Sequence, residues 1–181
     1  MEAIKLLKQL EADERMPTPA EQEILAGYNG WGGLKGAFIE GSDMNKEIRE
    51  LLTEEEYKAA RSTINDAFYT PPKLIRAIWE GISHLGFKGG RILDPSMGVG
   101  NFLGTMPRDM MEKTTLRGVE LDDLTSRLGK MLYPDAFVEH KGFQKSAAAD
   151  NYFDLAISNI PFGQSMIDGY QVHNKDCERY Y

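Results

Sequence analysis

Cysteine, which forms disulfides, and histidine, which with cysteine provides many metal ligands, are both scarce in this chain. The sequence has one cysteine, Cys177, and three histidines, His84, His140 and His173. A single cysteine cannot form an internal disulfide, and the histidines lack the short spacing typical of metal ligands. We therefore predict neither a disulfide nor a metal site.

Long apolar runs are also missing. No stretch of the 181 residues approaches the length of a membrane span. The segment Met1–Asp13 alternates charged and apolar residues, so it lacks the apolar core of a secretory signal. We expect no membrane partner and a cytoplasmic location for a chain long enough to form one globular core.

Positive charge is the third deficit. The chain has 21 Lys and Arg against 28 Asp and Glu, which gives a formal net charge of −7. A surface that holds nucleic acid by itself needs clustered Lys and Arg to contact the phosphates. This composition argues against the chain gripping DNA without help from other regions.

The sequence does have a glycine turn behind a short apolar run. Arg91-Ile92-Leu93 is typical of a strand, and Asp94–Leu103 continues it into a turn and a helix start. Gly98 and Gly100 let the backbone approach a ligand closely, and the helix N-terminus offers unpaired amides. The pattern predicts a small-molecule cradle, with a purely structural turn as the alternative.

A second polar segment also follows an apolar strand. The run Phe153–Ile157 leads into Ser158-Asn159-Ile160-Pro161-Phe162-Gly163. The carboxyl ends of parallel strands meet at one edge, where open α/β sheets bind ligands. We therefore expect this segment and the glycine turn to lie side by side.

A threonine-proline pair opens a predicted helix upstream of the glycine turn. Thr70 is expected to be the N-cap and Pro71 the first helical residue. The apolar residues that follow recur at helical spacing. They are Leu74, Ile75, Ile78, Trp79 and Ile82.

A strand with an acidic end follows the glycine turn. Within Leu116–Asp122, Glu120 stands about 20 residues past the turn. A carboxylate at this point can accept hydrogen bonds from both hydroxyls of a ribose, which several kinds of nucleotide ligand require. Asp122 is predicted to cap the next helix.

These motifs resemble those of S-adenosylmethionine-dependent DNA methyltransferases of the N6-adenine type. Their order along the chain, with the Thr70-Pro71 helix first, then the glycine turn and then the segment at Asn159, looks like the gamma arrangement of those enzymes. The family's cofactor loop reads Asp-Pro-x-x-Gly-x-Gly-x-Phe-Leu, and Asp94–Leu103 fits it throughout. The catalytic tetrapeptide reads Asn-Pro-Pro-Tyr/Phe, whereas this chain has Asn159-Ile160-Pro161-Phe162. The resemblance implies S-adenosylmethionine as cofactor and the exocyclic amine of adenine in DNA as substrate.

The resemblance also implies a set of cofactor-binding residues. They are Tyr69, Thr70, Asp94, Pro95, Ser96, Gly98, Gly100, Phe102, Glu120, Leu121 and Gln144. Some of these residues also have a purely structural interpretation. Tyr69 and Thr70 could belong to the start of an ordinary capped helix that covers the sheet. Leu121 could pack in the core instead of against the adenine, and Gln144 is placed only by its position after the third predicted strand.

The same resemblance implies how the tetrapeptide acts. The Asn159 side-chain oxygen and the Ile160 carbonyl would accept the amine protons and favour the pyramidal amine that attacks a methyl donor. Pro161 would hold that carbonyl through its fixed φ, and Phe162 would stack on a base rotated out of the duplex. The alternatives are a turn for Asn159, a strand stop for Pro161 and a core position for Phe162.

Residues 1–66 are predicted to form a helical segment that packs on the core. Thr18-Pro19-Ala20-Glu21 and Thr53–Glu56 have the pattern of capping boxes. Between them, Tyr28–Leu34 favours a loop pinned by a buried tryptophan over a binding loop. This segment is similar to methylase regions of large helicase-methylase proteins of phages, plasmids and conjugative elements, which implies restriction-modification biology on mobile DNA.

From Lys88 onward the pattern alternates strands and helices. The resemblance implies an α/β fold over residues 67–181: a partial Rossmann-like methyltransferase sheet of about four mainly parallel strands, in the order 3-2-1-4. The family's sheet has seven strands, and too few residues follow Asn159 to build the others. We expect a fragment of a larger protein whose other regions complete the sheet and grip the DNA.

Other functions stay open. The same fold and tetrapeptide would suit methyl transfer to RNA or to a protein glutamine amide, because both present a planar amine. Ile160 and the incomplete sheet would also suit a non-catalytic binding module. A dehydrogenase is disfavoured, because Leu103 stands where the Rossmann fingerprint has glycine or alanine.

Overall fold

The computed structural model describes residues 1–32, 35–62, 69–147 and 149–160. The N-terminal part of the described chain is helical. Its elements are α1 (Glu2–Ala12), α2 (Pro19–Ala26), a 3-10 turn (Lys35–Phe38), α3 (Asp43–Leu51) and α4 (Glu54–Ser62).

An alternating α/β region follows. Its elements are α5 (Pro72–His84), β1 (Arg91–Asp94), α6 (Asn101–Gly104), α7 (Arg108–Met111), β2 (Thr115–Glu120), α8 (Asp123–Leu132), β3 (Phe137–His140), a 3-10 turn (Phe143–Lys145) and β4 (Leu155–Ala156). The four strands form one parallel sheet in the order β3-β2-β1-β4, with Ile92 opposite both Leu116 and Leu155. The predicted fold and strand order are confirmed, and the carboxyl ends of the strands lie at one edge.

Both predicted capping boxes are confirmed. The Thr18 amide donates to Glu21 Oε2 at 2.8 Å while Thr18 Oγ1 accepts from the Glu21 amide. At α4 the Thr53 amide donates to Glu56 Oε2 at 2.8 Å, and Thr53 Oγ1 accepts from the Glu56 amide at 3.2 Å. These reciprocal bonds satisfy amides that a helix start leaves unpaired.

The predicted start of α5 is wrong by one residue. Pro71 is the N-cap, with φ −57° and ψ 137°, and Pro72 is the first helical residue. A residue that precedes proline is pushed out of the helical region, so the tandem prolines delay the helix. Thr70 therefore does not cap it.

The glycine turn is fixed by the apolar residues that alternate with its glycines. Val99 packs with the N-terminal helices, Phe102 packs with Trp79, and Met97 packs with Val138 of β3. Each side chain enters a different hydrophobic cluster, so the turn is held from three sides. The helix behind it is a single turn, because Pro107 follows soon after and α7 starts separately.

The N-terminal helices pack on α8. Buried Leu124 and Leu128 of α8 share one hydrophobic cluster with residues of α1, α2 and α4. At the edge of this contact the Arg127 guanidinium donates to Glu11 at 2.7 Å and to Glu56 at 2.6 Å. The predicted boundary at residue 66 lies outside the described residues.

Trp31 is 2% exposed and makes edge-to-face contacts with Tyr28 and Phe38, at 6.2 Å and 5.4 Å between ring centroids. This burial agrees with the prediction of a loop pinned by tryptophan. The aromatic pairs fix the connection between α2 and α3 against the helical layer.

Candidate cofactor and amine site

The candidate site lies at the edge of the sheet where β1, β2 and β4 end. The glycine turn follows β1, Glu120 ends β2, and Ser158-Asn159 follows β4. We call this edge the rim. It is the edge at which parallel α/β sheets bind ligands.

Asp94 is the most deeply buried carboxylate of the rim, at 1% exposure. Its Oδ1 accepts from the Ser96 amide at 3.2 Å and from the Ser158 hydroxyl at 2.6 Å. Its Oδ2 is buried and has no hydrogen-bond partner among the described residues. Burial raises the pKa of Asp94 to about 6, and the bonds from Ser158 and Ser96 oppose that rise. A buried acceptor without a donor is suited to a cationic ligand group.

Glu120 accepts from two backbone amides. Its Oε2 accepts from Gly98 at 2.8 Å, and its Oε1 accepts from Asp122 at 2.8 Å. Burial is the main cause that raises its pKa to about 7, although these bonds favour the ionised form. Each oxygen keeps a second lone pair, so the carboxylate can still accept from a pair of ribose hydroxyls. Asp122 caps α8 through the Thr125 amide, as predicted.

The two glycines of the turn are required for different reasons. Gly98 has φ +56°, and a Cβ there would lie 3.1 Å from Cε1 of Tyr69. Gly100 has φ +83°, and a Cβ there would overlap the ring of Tyr133, whose hydroxyl donates to the Gly100 carbonyl at 2.9 Å. The close approach at Gly100 is therefore an internal contact, whereas Gly98 lies against a predicted cofactor residue.

The two polar segments meet at the rim, as the sequence predicts. The Ile157 amide donates to the Leu93 carbonyl at 2.9 Å, and the next residue, Ser158, donates to Asp94. Asn159 follows at once and is half-buried, and Ile160 is 58% exposed. Pro161 and Phe162 lie outside the described residues.

The remaining predicted residues fall into three groups by exposure. Leu121 is 65% exposed beside Glu120, which excludes the core-packing alternative, and Gln144 is exposed in the 3-10 turn after β3. Phe102 is buried in the core, and its carbonyl accepts from the Trp79 indole at 2.9 Å. The other members, half-buried next to the turn, are Tyr69, Thr70, Pro95 and Ser96.

Three residues of the site carried no role in the sequence prediction. Ser158 bonds to Asp94, Tyr133 closes over Gly100, and Trp79 holds the Phe102 carbonyl. Ser158 could have been noticed as the polar residue directly before Asn159. Tyr133 and Trp79 act through contacts formed only on folding, and the sequence gives no local signal of them.

Within the described ranges, no group of histidine and acidic side chains is placed to hold a metal ion. Cys177 and His173 lie outside those ranges. In the same part of the chain, no helix combines the length and apolar character needed to cross a bilayer.

The sheet order, the glycine turn and the acidic end of β2 define a Rossmann-like domain of the kind that binds nucleotide-type ligands. Residues 40–180 match the family model "N-6 DNA Methylase", so the chain belongs to that family. This confirms the resemblance found in the motifs and makes S-adenosylmethionine the cofactor.

A curated phage protein also matches the chain. The chain is similar to "Defense against restriction protein B" of Escherichia phage P1, at 28% identity over 163 residues. The match covers 89% of this chain and 6% of that protein, so the chain spans only a small part of this relative.

Solved structures that resemble the chain are described as methyltransferases, at low sequence identity. A methyltransferase subunit of a type I restriction-modification system from Streptococcus thermophilus has TM-score 0.46 and 20% identity, covering 66% of this chain and 31% of its own. A protein from Listeria monocytogenes, assigned as a class I S-adenosylmethionine-dependent methyltransferase, has TM-score 0.49 and 19% identity, covering 99% and 54%.

The described residues fit this cofactor. The methionine part of S-adenosylmethionine carries an ammonium, and the buried Asp94 Oδ2 is an acceptor that lacks a donor. The ribose carries two hydroxyls, which match the free lone pairs of Glu120. The adenine is a flat apolar ring, and exposed Leu121 offers a surface for its face.

Proposed function

We propose that this chain is the cofactor-binding and amine-binding part of a DNA adenine methyltransferase. The reaction transfers a methyl group from S-adenosylmethionine to the N6 amine of adenine. The observation that carries the proposal is the bond between Ser158 and Asp94, which joins the tetrapeptide segment to the cofactor turn. Family membership supports the same reaction.

The chain's task is to present the amine in a reactive form. The amine of adenine is a poor nucleophile because its lone pair is delocalised into the ring. The Asn159 side-chain oxygen and the Ile160 carbonyl accept hydrogen bonds from the two N–H groups of the amine, which favours the pyramidal form with a localised lone pair. The lone pair forms the new N–C bond as the methyl–sulfur bond of the cofactor breaks, which leaves S-adenosylhomocysteine, and the methylated amine releases one proton to water. Bound S-adenosylmethionine supplies an electrophilic methyl group on a sulfonium, so the chain needs no covalent nucleophile.

The other site residues bind and orient. Asp94 accepts from the ammonium of the cofactor, and Glu120 accepts from the ribose. Tyr69 and Thr70 lie beside the methionine part, Leu121 and Gln144 contact the adenine, and Phe162 stacks on the target base after the base leaves the duplex. These roles extend the family's motif residue by residue to this chain.

We also propose that the DNA is gripped mainly by other regions of the protein. The net charge of −7 makes this chain a poor partner for phosphates without them. Those regions would complete the sheet beyond β4. Residues 67–181 would then be the first part of the methyltransferase domain, with residues 1–66 as a helical layer on it.

The biological setting we propose is restriction-modification on a mobile element, in the cytoplasm. The phage relative, named for defence against restriction, supports this setting.

The test is transfer of a radiolabelled methyl group by the intact protein to adenine-containing DNA, with RNA and a glutamine peptide in parallel. We expect label in DNA, recovered as N6-methyladenine. Transfer to the peptide alone or to RNA alone would show that DNA is not the substrate. Ile160, which departs from the family's proline, favours a second candidate, a non-catalytic module. Cofactor binding without transfer to any substrate would support it.

A further inference from the structure

Ser158 stands between the last residues of β4 and Asn159, and its hydroxyl points back into the rim. It donates to Asp94 Oδ1 at 2.6 Å, and it lies 3.4 Å from the Ser96 carbonyl. The partners are 64 positions apart in sequence. This is a direct side-chain contact between the amine-binding segment and the cofactor turn.

The contact determines which oxygen of Asp94 remains available. Oδ1 takes two donors, the Ser158 hydroxyl and the Ser96 amide, while Oδ2 has no partner among the described residues. A carboxylate held through one oxygen cannot rotate freely. Its other oxygen therefore keeps a fixed direction, as a buried acceptor for a cation requires.

The contact also anchors the backbone that leads to Asn159. The Ile157 amide bonds to the Leu93 carbonyl, and the Ser158 side chain bonds to the next residue of the β1 strand end. Two adjacent anchors fix where the chain leaves the sheet. They matter more here because Ile160 lacks the ring that fixes φ at the second position of the family's tetrapeptide.

We propose that Ser158 is a positioning residue, which orients Asp94 toward the ammonium of the cofactor and holds Asn159 in register with the methyl donor. The proposal rests on the proposed function, because it needs a cofactor at Asp94. In this role Ser158 acts through Asp94 and through the backbone that leads to Asn159, and not by contact with the cofactor or the amine.

The test compares Ser158→Ala and Ser158→Thr in the intact protein with two ligands. S-adenosylhomocysteine carries the ammonium, whereas 5′-methylthioadenosine keeps the nucleoside and lacks the amino-acid part. By calorimetry, we expect Ser158→Ala to weaken S-adenosylhomocysteine about tenfold and to leave methylthioadenosine nearly unchanged. Ser158→Thr keeps the hydroxyl and should restore most of the affinity.

A pH series adds a readout that general damage would not produce. In the described part of the chain, burial raises the pKa of Asp94, and the groups that oppose it are Ser158 and Ser96. Loss of the Ser158 bond raises that pKa further. The affinity lost in Ser158→Ala should therefore be greater at pH 6 than at pH 8.5.

Ser146→Ala is the matched control, since its hydroxyl donates to the Glu139 carboxylate of β3 and not to Asp94 or Glu120. Equal weakening of both ligands in Ser158→Ala would assign Ser158 a general structural role and overturn the proposal. Unchanged binding of both would also overturn it. If the wild-type protein binds neither ligand, the proposed function itself fails, an outcome distinct from a failure at Ser158 alone.

Discussion

The carboxylates of the N-terminal helices and those of the rim are stabilised in opposite ways. Glu21 bonds to the Arg15 guanidinium at 2.6 Å, which is the main cause that lowers its pKa to about 2. At the rim, burial raises the pKa of Asp94 to about 6 and that of Glu120 to about 7. The donors that reach the rim carboxylates are backbone amides and a serine hydroxyl.

This difference separates structural carboxylates from those available for binding. A carboxylate paired with arginine is already neutralised and has little to gain from a ligand. A buried carboxylate held only by neutral donors keeps its charge uncompensated, so a cationic or hydroxyl-bearing ligand adds a large favourable interaction. Substitutions at the rim therefore test whether its carboxylates bind a ligand while those of the N-terminal helices only stabilise the fold.

Asn159→Ala tests the amine side of the rim. In the proposed mechanism the substitution removes one of the two hydrogen-bond acceptors for the amine, so we expect methyl transfer to fall roughly a hundredfold or more. Cofactor affinity should hardly change, because Asn159 is proposed to contact the other substrate. Methyl transfer is measured as radiolabel retained with the DNA on a filter, and cofactor affinity is measured by calorimetry. Asn29→Ala, an exposed asparagine of the helical layer, is the control, and equal loss in both variants would reject the role of Asn159.

Glu120→Gln tests the cofactor side. The amide replaces one acceptor oxygen with a donor that opposes the backbone amides of Gly98 and Asp122. We expect affinity for S-adenosylmethionine to fall roughly tenfold to a hundredfold. Glu112→Gln, at an exposed glutamate, should bind as wild type does.

Glu120 also predicts the direction of a pH effect on binding. In the proposed binding mode the ionised carboxylate accepts from the ribose, and its pKa without ligand is about 7, so wild-type affinity should rise between pH 6 and 8. Glu120→Gln should lose the part of this rise centred near pH 7. A variant that keeps the full wild-type profile would show that another group titrates.

Gly100→Ala tests how tightly the turn is packed. Gly86→Ala is the control, because Gly86 also has a positive φ. Gly100 and Gly86 have φ of +83° and +94°, but only at Gly100 would a Cβ meet a ring, that of Tyr133. We expect Gly86→Ala to cost about 1 kcal/mol of stability from strain alone. Gly100→Ala should cost roughly 2 to 4 kcal/mol, because overpacking adds to strain. Chemical denaturation gives both values, and equal losses would contradict the contact.

The two kinds of carboxylate predict opposite dependence of stability on pH. Asp94 and Glu120 bind protons more tightly in the folded chain, so their contribution falls as pH rises from about 4 to about 7 and then stays constant. Glu21 binds protons less tightly, so its contribution is present above about pH 4.5 and is lost toward pH 2. The free energy of unfolding should therefore depend less on pH between about 4 and 7 in Glu120→Gln, and less on pH below about 4.5 in Glu21→Gln. If both variants changed the same part of the pH profile, the contrast would be refuted.

The sequence predicted the parts of the fold that local patterns encode. Alternating strands and helices predicted an α/β region, and the resemblance to the methyltransferase family implied the strand order. Each capping box lies within four residues, so Thr18 and Thr53 were found directly. The tandem prolines at Pro71 and Pro72 show where a local rule fails. The Thr-Pro pair predicted a helix start at Pro71, but a residue before proline is kept out of the helical conformation, so the helix starts at Pro72.

The site was predicted less completely than the fold. The glycine turn and Glu120 were chosen because their spacing follows the family's motif, and the structure brings them together through the bond from the Gly98 amide to Glu120. The bond from Ser158 to Asp94 and the contact of Tyr133 with Gly100 join residues far apart in sequence. Such contacts depend on how the strand ends converge, and no pattern within one segment encodes that convergence.

The central claim is that one ligand site joins the turn after β1 and the segment after β4. Hydrogen exchange of the intact protein with and without S-adenosylmethionine measures it directly, by mass spectrometry of peptides. The account predicts slower exchange on ligand addition in both peptides 91–105 and 153–160, with α1 and α2 unchanged. Protection confined to the helical layer, or to only one of the two segments, would contradict it.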